Sequence, residues 1–235
     1  MADELSNADA MKNEFISSVS HELRTPLTAI RGWAETIRTE RDPVIFKKGI
    51  RVITNETERL SQMVEELLDF SRMQSGHFTL QQSAMDVLAE LGEAALIYAE
   101  RAKIEDITMT YEEPEMLPVV YGDKNRIRQV FINIIDNAIK YSNRGGTVKI
   151  VAGTSPEGDI RVTVEDNGCG IRKSDLPKIK TKFYKANHTK KGSGIGLAVA
   201  DEIIQMHGGT LTLESEEGKG TKVTITIPPQ KTEDK

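Results

Sequence analysis

The chain has 235 residues, 38% of them hydrophobic, and a formal net charge of −5. That length suits one large domain or two ordinary ones with a real core, which excludes disorder throughout, and the acidic balance gives no global basic field, so nucleic acid is not an expected partner. The lone cysteine, Cys169, excludes an internal disulfide and fits a reducing compartment; no apolar run approaches the roughly 18 residues that span a bilayer.

The chain opens almost inside a helix, "MADELSNADAMKNEF", which is expected to run from about residue 4 to 39. This suggests the cytoplasmic piece of something longer, the alternative being a natural short start; a membrane-anchored parent is expected, with no direct membrane contact by this piece. Phe15, Val19, Leu23, Leu27, Ile30, Ala34 and Ile37 recur at steps of three and four and define the apolar face. His21 lies off that face, roughly 200° round from Val19, and should point to solvent. Glu22 is its neighbour, and Thr25 stands one turn further on the same side. Pro26 deprives the Glu22 carbonyl of its helical partner, a defect of about 3 kcal/mol in an ordinary helix interior.

After "RTERDP", Asp42 can cap and Pro43 can open a second helix reaching about Arg72. Its stripe of Phe46, Ile50, Ile53, Thr57, Leu60, Val64 and Leu67 alternates steps of four and three like a coiled-coil seam. Such a hairpin completes itself by pairing with a second copy into a four-helix bundle, or else packs on the rest of the chain; the seam favours the homodimer.

Gly76 ends the helical pattern, and "HFTLQQ" reads as the start of an alternating strand. Helices are expected near 86–102, 124–142 and 194–207. Strands are expected at "TVKIVAG", "DIRVTVED" and "TLTLESEEGKGTKVTITIP", joined by the tight turns "SPEGD" and "EEGKG". The expected fold is α+β: a helical hairpin over 1–75, a two-layer α/β sandwich over 76–230 with a largely antiparallel sheet and helices on one face, and a tail at 231–235.

Three stretches of the second domain could carry chemistry. In "NRIRQVFINIIDNAIKYS", Asn133, Asn137 and Lys140 share one edge beside the apolar stripe. Amide oxygens are hard, neutral metal ligands and lysine is a point charge for phosphate, although such residues on a helix are often merely solvated. In "VEDNGCGI" a strand ends at Asp166, which could accept a hydrogen bond from an exocyclic amine. Gly168 and Gly170 would let backbone approach a flat ligand, and a plain turn is the commoner use of these letters. "KGSGIGLAVADEIIQMHGG" sets Gly192, Gly194 and Gly196 before a helix, where free N–H groups favour anions. No Walker motif or dinucleotide fingerprint is present. His77, His188 and His207 are scattered without metal-cage spacing.

Taken in order, these motifs resemble the transmitter core of two-component sensor histidine kinases from about Lys12 to Pro228. "SHELRTPL" is similar to the phosphoacceptor box, which implies His21 as acceptor, Glu22 as its acid/base partner and Thr25 at the position associated with phosphatase activity. "NIIDNAIKYS" resembles the N box, implying Asn137 as Mg2+ ligand, with Asn133, Lys140 and Tyr141 at the nucleotide. "DNGCGI" and "GSGIGLA" resemble the glycine boxes, so Asp166 would read the adenine amine beside Gly168 and Gly170, and Gly192, Gly194, Gly196 and Leu197 would line the phosphate-lid region. "FYK" places Lys185 where a basic residue meets phosphates. The pattern departs at Lys180, where the family usually has phenylalanine.

The resemblance implies a Bergerat-type ATP fold and an enzyme, an ATP-dependent protein histidine kinase. It would use ATP and Mg2+, work as a homodimer, and pass its phosphoryl group to the aspartate of a response-regulator receiver domain, with phosphatase activity as well. The alternative is an ATP-gated clamp or regulatory ATPase of the same fold that is not phosphorylated on histidine.

Overall fold

The computed structural model describes the backbone of residues 2–182, 184, 186 and 194–229, and within these the side chains of residue 17 and of 19 onward. The chain forms two compact units, with a boundary between His77 and Phe78.

The first unit is a hairpin of α1 (Ala2–Thr39) and α2 (Pro43–Gln74). Asp42 caps α2 by accepting from the Val44 N–H at 2.8 Å, and Pro43 fills the first turn, where a missing N–H costs nothing. Close approach of the helices depends on Gly49: a Cβ there would lie 2.4 Å from Ile37 Cγ2 and 2.9 Å from Trp33 Cε3. Pro26 is buried and α1 continues through it. Of the seam, Phe46, Ile50 and Val64 are exposed within one chain, as are Leu27 on α1 and Leu68 on α2.

The second unit contains β1 (Ser83–Met85), α3 (Val87–Ile104), β2 (Thr108–Glu112), β3 (Val120–Gly122), α4 (Lys124–Tyr141), β4 (Thr147–Thr154), β5 (Ile160–Asp166), α5 (Gly196–Met206), β6 (Thr210–Glu216) and β7 (Gly220–Ile227). Five strands form one sheet in the order β2-β4-β5-β7-β6, and β1 pairs with β3. β2 and β4 are parallel and every other pair is antiparallel. Alternate residues Ile160, Val162 and Val164 on β5, with Val148 and Ile150 on β4 and Ile225 and Ile227 on β7, turn into the core. There they meet Leu91 of α3, Phe131, Ile134 and Ile135 of α4, and Ile203 and Ile204 of α5, all buried. This is the expected α+β arrangement of a hairpin followed by a helix-backed sandwich.

One element differs. "HFTLQQ" joins no ladder, and the strand begins only at Ser83. The backbone N–H of Gln81 donates to Asp123 Oδ2 at 2.8 Å, so a side chain 42 residues away takes the place of a neighbouring strand. Asp123 also caps α4 through the Asn125 and Arg126 N–H groups, and its own N–H donates to Nε2 of buried His207, whose Nδ1 donates to the Ile203 carbonyl at 2.7 Å. His207 is therefore a satisfied core histidine of fixed tautomer.

Candidate functional site

In the hairpin, His21 is exposed on α1, as its position off the apolar face requires. Glu22 turns toward α2, where its Oε2 accepts from Arg59 Nη2 at 3.1 Å; Arg59 Nη1 in turn donates to Glu56 Oε2 at 3.3 Å. The carboxylate beside the histidine is thus held by a partly buried cross-helix ion pair that the sequence reading did not include. The Thr25 hydroxyl donates to the His21 carbonyl at 3.3 Å, one turn back. It occupies the turn in which Pro26 withholds an N–H from Glu22.

In the second unit, α4 is the spine on which the other pieces are set. Its amphipathic pattern buries Ile127, Val130, Phe131, Ile134 and Ile135, leaving Asn133 and Asn137 half-exposed on one edge. Asn137 Nδ2 donates to Asn133 Oδ1 at 3.0 Å, which directs Asn137 Oδ1 away as an acceptor. One turn on, Lys140 Nζ lies 5.0 Å from the centroid of the Tyr141 ring. Burial pushes the Tyr141 hydroxyl above its ordinary pKa, and nearby Cys169 and Asp136 add to the effect.

The loop after β5 is packed against the end of this spine. A Cβ on Gly168 would stand 2.2 Å from the Tyr141 carbonyl oxygen, and the Cys169 N–H donates to that carbonyl at 3.1 Å. Gly170 has φ +63 and comes so close to the β6–β7 turn that a Cβ would lie 2.0 Å from the Glu216 carbonyl oxygen. Both glycines are required by close approach. Asp166 is buried at the start of this loop and accepts from the Gly168 N–H at 2.8 Å. Burial raises its pKa from the usual carboxylate range, against the lowering effect of the Gly168 and Thr221 N–H groups.

The second glycine box meets the same spine. Gly196 opens α5, and a Cβ on it would fall 2.2 Å from Asn133 Nδ2, so the helix start is seated on the amide pair. Leu197 follows, half-exposed, and Gly194 precedes with φ +71. The structure thus brings Asn133, Asn137, Tyr141, Gly168 and Gly196 together around one face of α4. Lys185 and Gly192 lie outside the described residues.

Sequence reasoning missed Arg59, the seating of Gly196 on Asn133, and the role of Lys180. That lysine donates to Asp201 Oδ1 of α5 at 2.8 Å and to the Leu211 carbonyl of β6. Among the described residues no group of three or more His, Cys, Asp or Glu side chains is placed to hold a metal, and no helix is long and apolar enough to cross a membrane.

An exposed histidine on a helical hairpin, followed by an α/β sandwich whose glycine loops converge on one helix, defines a class that comparison with known proteins makes specific. Residues 11–76 match the His Kinase A (phospho-acceptor) domain, and residues 122–231 match the histidine kinase-, DNA gyrase B- and HSP90-like ATPase domain. The sensor protein SrrB of Staphylococcus aureus is 34% identical over an alignment of 230 residues that covers 94% of this chain and 39% of SrrB. The chain thus spans about two fifths of the length of the curated relatives it matches. Among solved structures, histidine kinase ThkA in complex with the response regulator protein TrrA has a TM-score of 0.68 and 27% identity, covering 97% of this chain and 64% of that one. Full-length ShkA in complex with AMPPNP has a TM-score of 0.68 and 25% identity, covering 92% of this chain and 46% of that one. The chain belongs to the sensor histidine kinases of two-component systems, and its second unit has their Bergerat-type ATPase fold.

Proposed function

We propose that the protein is an ATP-dependent, autophosphorylating protein histidine kinase, with a dimerisation and phosphotransfer hairpin at 1–75, a catalytic ATP-binding domain at 76–230 and a tail at 231–235. The observation that carries this reading over a regulatory ATPase of the same fold is His21, an exposed imidazole whose chain neighbour Glu22 is held by Arg59.

In the nucleotide half, Asp166 accepts the adenine amine beside Gly168 and Gly170, and the start of α5 with Gly194, Gly196 and Leu197 offers N–H groups to phosphate. Asn133, Lys140 and Tyr141 flank the nucleotide; Lys185 and Gly192 complete the phosphate contacts. Asn137 Oδ1, turned out by the bond to Asn133, suits Mg2+, which takes few protein oxygens and keeps waters and phosphate oxygens. When bound, Mg2+ supplies charge neutralisation at the phosphates.

At the acceptor, a ring nitrogen of His21 attacks the γ-phosphorus of ATP in line. The N–P bond forms as the bond to the β,γ-bridging oxygen breaks, ADP departs, and the other ring nitrogen loses its proton to Glu22. Arg59 fixes the direction of that carboxylate. The phosphoryl group then passes to an aspartate of a response-regulator receiver domain, as the pairing of ThkA with TrrA supports. Thr25, released from the His21 carbonyl, orients the water that hydrolyses the partner's aspartyl phosphate. The exposed seam of Phe46, Ile50 and Val64 pairs with its copy to form a four-helix bundle. The fragment is cytoplasmic and its parent membrane-anchored.

Incubation with γ-labelled ATP and Mg2+ tests the reading. Label on the protein that survives base, is lost in acid and is abolished by His21→Ala supports it, whereas release of free phosphate with no protein label establishes the regulatory ATPase instead.

A further inference from the structure

After the first glycine box, the described residues make two fastenings. Asp175, buried, accepts from the Tyr184 hydroxyl at 2.8 Å, from Arg172 Nε at 2.8 Å and from the Ser174 hydroxyl at 3.2 Å, which closes the segment on itself. The Tyr184 hydrogen bond, with Arg172 and Ser174 adding to it, holds the Asp175 carboxyl below the usual range. The second fastening is Lys180. It follows the short 3-10 turn Leu176–Lys178 and is half-buried, with Nζ 2.8 Å from Asp201 Oδ1 and also donating to the carbonyl of Leu211 on the edge strand β6. The other oxygen of Asp201 accepts from Gln205 Nε2 at 2.9 Å, so the carboxylate is held from both sides.

Asp201 lies on the helix whose first residue, Gly196, is seated on the Asn133–Asn137 amide pair. A cation that ties the preceding segment to α5 and β6 at once restrains the helix start relative to that pair. We propose that Lys180 is a positioning residue for the nucleotide site, an ionic clasp that holds α5 against β6 and the Leu176–Lys178 turn in the arrangement that receives ATP. The proposal rests on the nucleotide-binding reading above. Where the family usually has an aromatic side chain, this chain uses a charge, so the clasp is weakened by salt in a way an apolar anchor is not.

The test uses the whole chain with a non-hydrolysable ATP analogue and Mg2+, at a temperature where circular dichroism shows each variant folded. Lys180→Met and Asp201→Ala each weaken analogue binding by about fivefold at low salt, a loss in keeping with a half-exposed pair. The double variant binds no more weakly than Lys180→Met alone, because both changes remove one interaction. The wild-type affinity falls more steeply with salt than that of Lys180→Met, and Lys180→Phe binds as tightly as the wild type at low salt without its extra salt dependence. A wild-type protein that fails to bind the analogue overturns the nucleotide reading itself. Normal binding by the wild type and by Lys180→Met, or losses that add in the double variant, overturns the clasp alone.

Discussion

Replacing Gly196 by Ala separates the nucleotide site from the stability of the fold. The residue does not have the left-handed φ that would strain a side chain, and the nearest obstacle is the Asn133 amide, 2.2 Å from the new Cβ at Nδ2 and 3.0 Å at Cγ and Oδ1. The amide has to swing aside, which breaks the 3.0 Å bond from Asn137 and releases the carboxamide that this bond orients. Losing that hydrogen bond costs about 1 kcal/mol, and the residual crowding roughly 1–3 kcal/mol. Because Gly196 is the first residue of α5, alanine returns less than the roughly 1 kcal/mol it gains in a helix interior. The net effect on folding is therefore a few degrees in Tm, while the amide pair is misplaced whenever the protein is folded. Affinity for a non-hydrolysable ATP analogue with Mg2+ should fall by about tenfold, equivalent to ~1.4 kcal/mol. Titration calorimetry of the analogue, with a melting curve for the same sample, measures both. An unchanged affinity would refute the reasoning that Gly196 is kept small for the sake of Asn133.

Gly49→Ala drives a Cβ to within 2.4 Å of Ile37 and should destabilise the hairpin by roughly 1–3 kcal/mol, seen as an earlier loss of helical circular dichroism; an unaltered melt would contradict the tight helix contact. Arg59→Gln removes the 3.1 Å ion pair to Glu22 and should slow autophosphorylation with little change in analogue affinity, whereas an unchanged labelling rate would show that Arg59 does not position Glu22. Because burial raises the folded pKa of Asp166 above its unfolded value, its contribution to stability is fully present below the unfolded pKa and is lost as pH rises through the folded one. Asp166→Asn should therefore raise the Tm of the nucleotide-free protein near pH 7, with the gain shrinking at acid pH, while weakening ATP binding; a lower Tm near pH 7 would contradict this. Thr25→Ala should leave autophosphorylation near normal and let phosphorylated partner accumulate; dephosphorylation at the unmutated rate would remove its assigned role.

The helices were legible because each carries its own period and signals: the steps of three and four in α1 and α2, Asp42 with Pro43 at the turn, and the stripe Ile127, Val130, Phe131, Ile134 and Ile135 of α4. The sheet followed from alternation and tight turns. "HFTLQQ" misled for a physical reason: alternation reports which side chains are covered, while a strand also needs backbone partners, and Gln81 finds its partner in the Asp123 side chain. In the candidate site, the residue types were readable, but their joining was not. No local pattern announces that Arg59 reaches Glu22 across 37 residues, or that Gly196 rests on Asn133. Lys180 was visible as a departure from the family pattern, and its meaning came only with Asp201 and the Leu211 carbonyl.

The central claim is that His21 receives the phosphoryl group of ATP. Its most direct measurement is mass-spectrometric mapping of the phosphorylated protein, prepared with ATP and Mg2+ and kept alkaline throughout so that a phosphoramidate survives digestion. One phosphoryl group is expected on the peptide that contains His21, placed by fragmentation on the imidazole and missing from the His21→Ala protein. A phosphoryl group on another residue, retained in the His21→Ala protein, would contradict it.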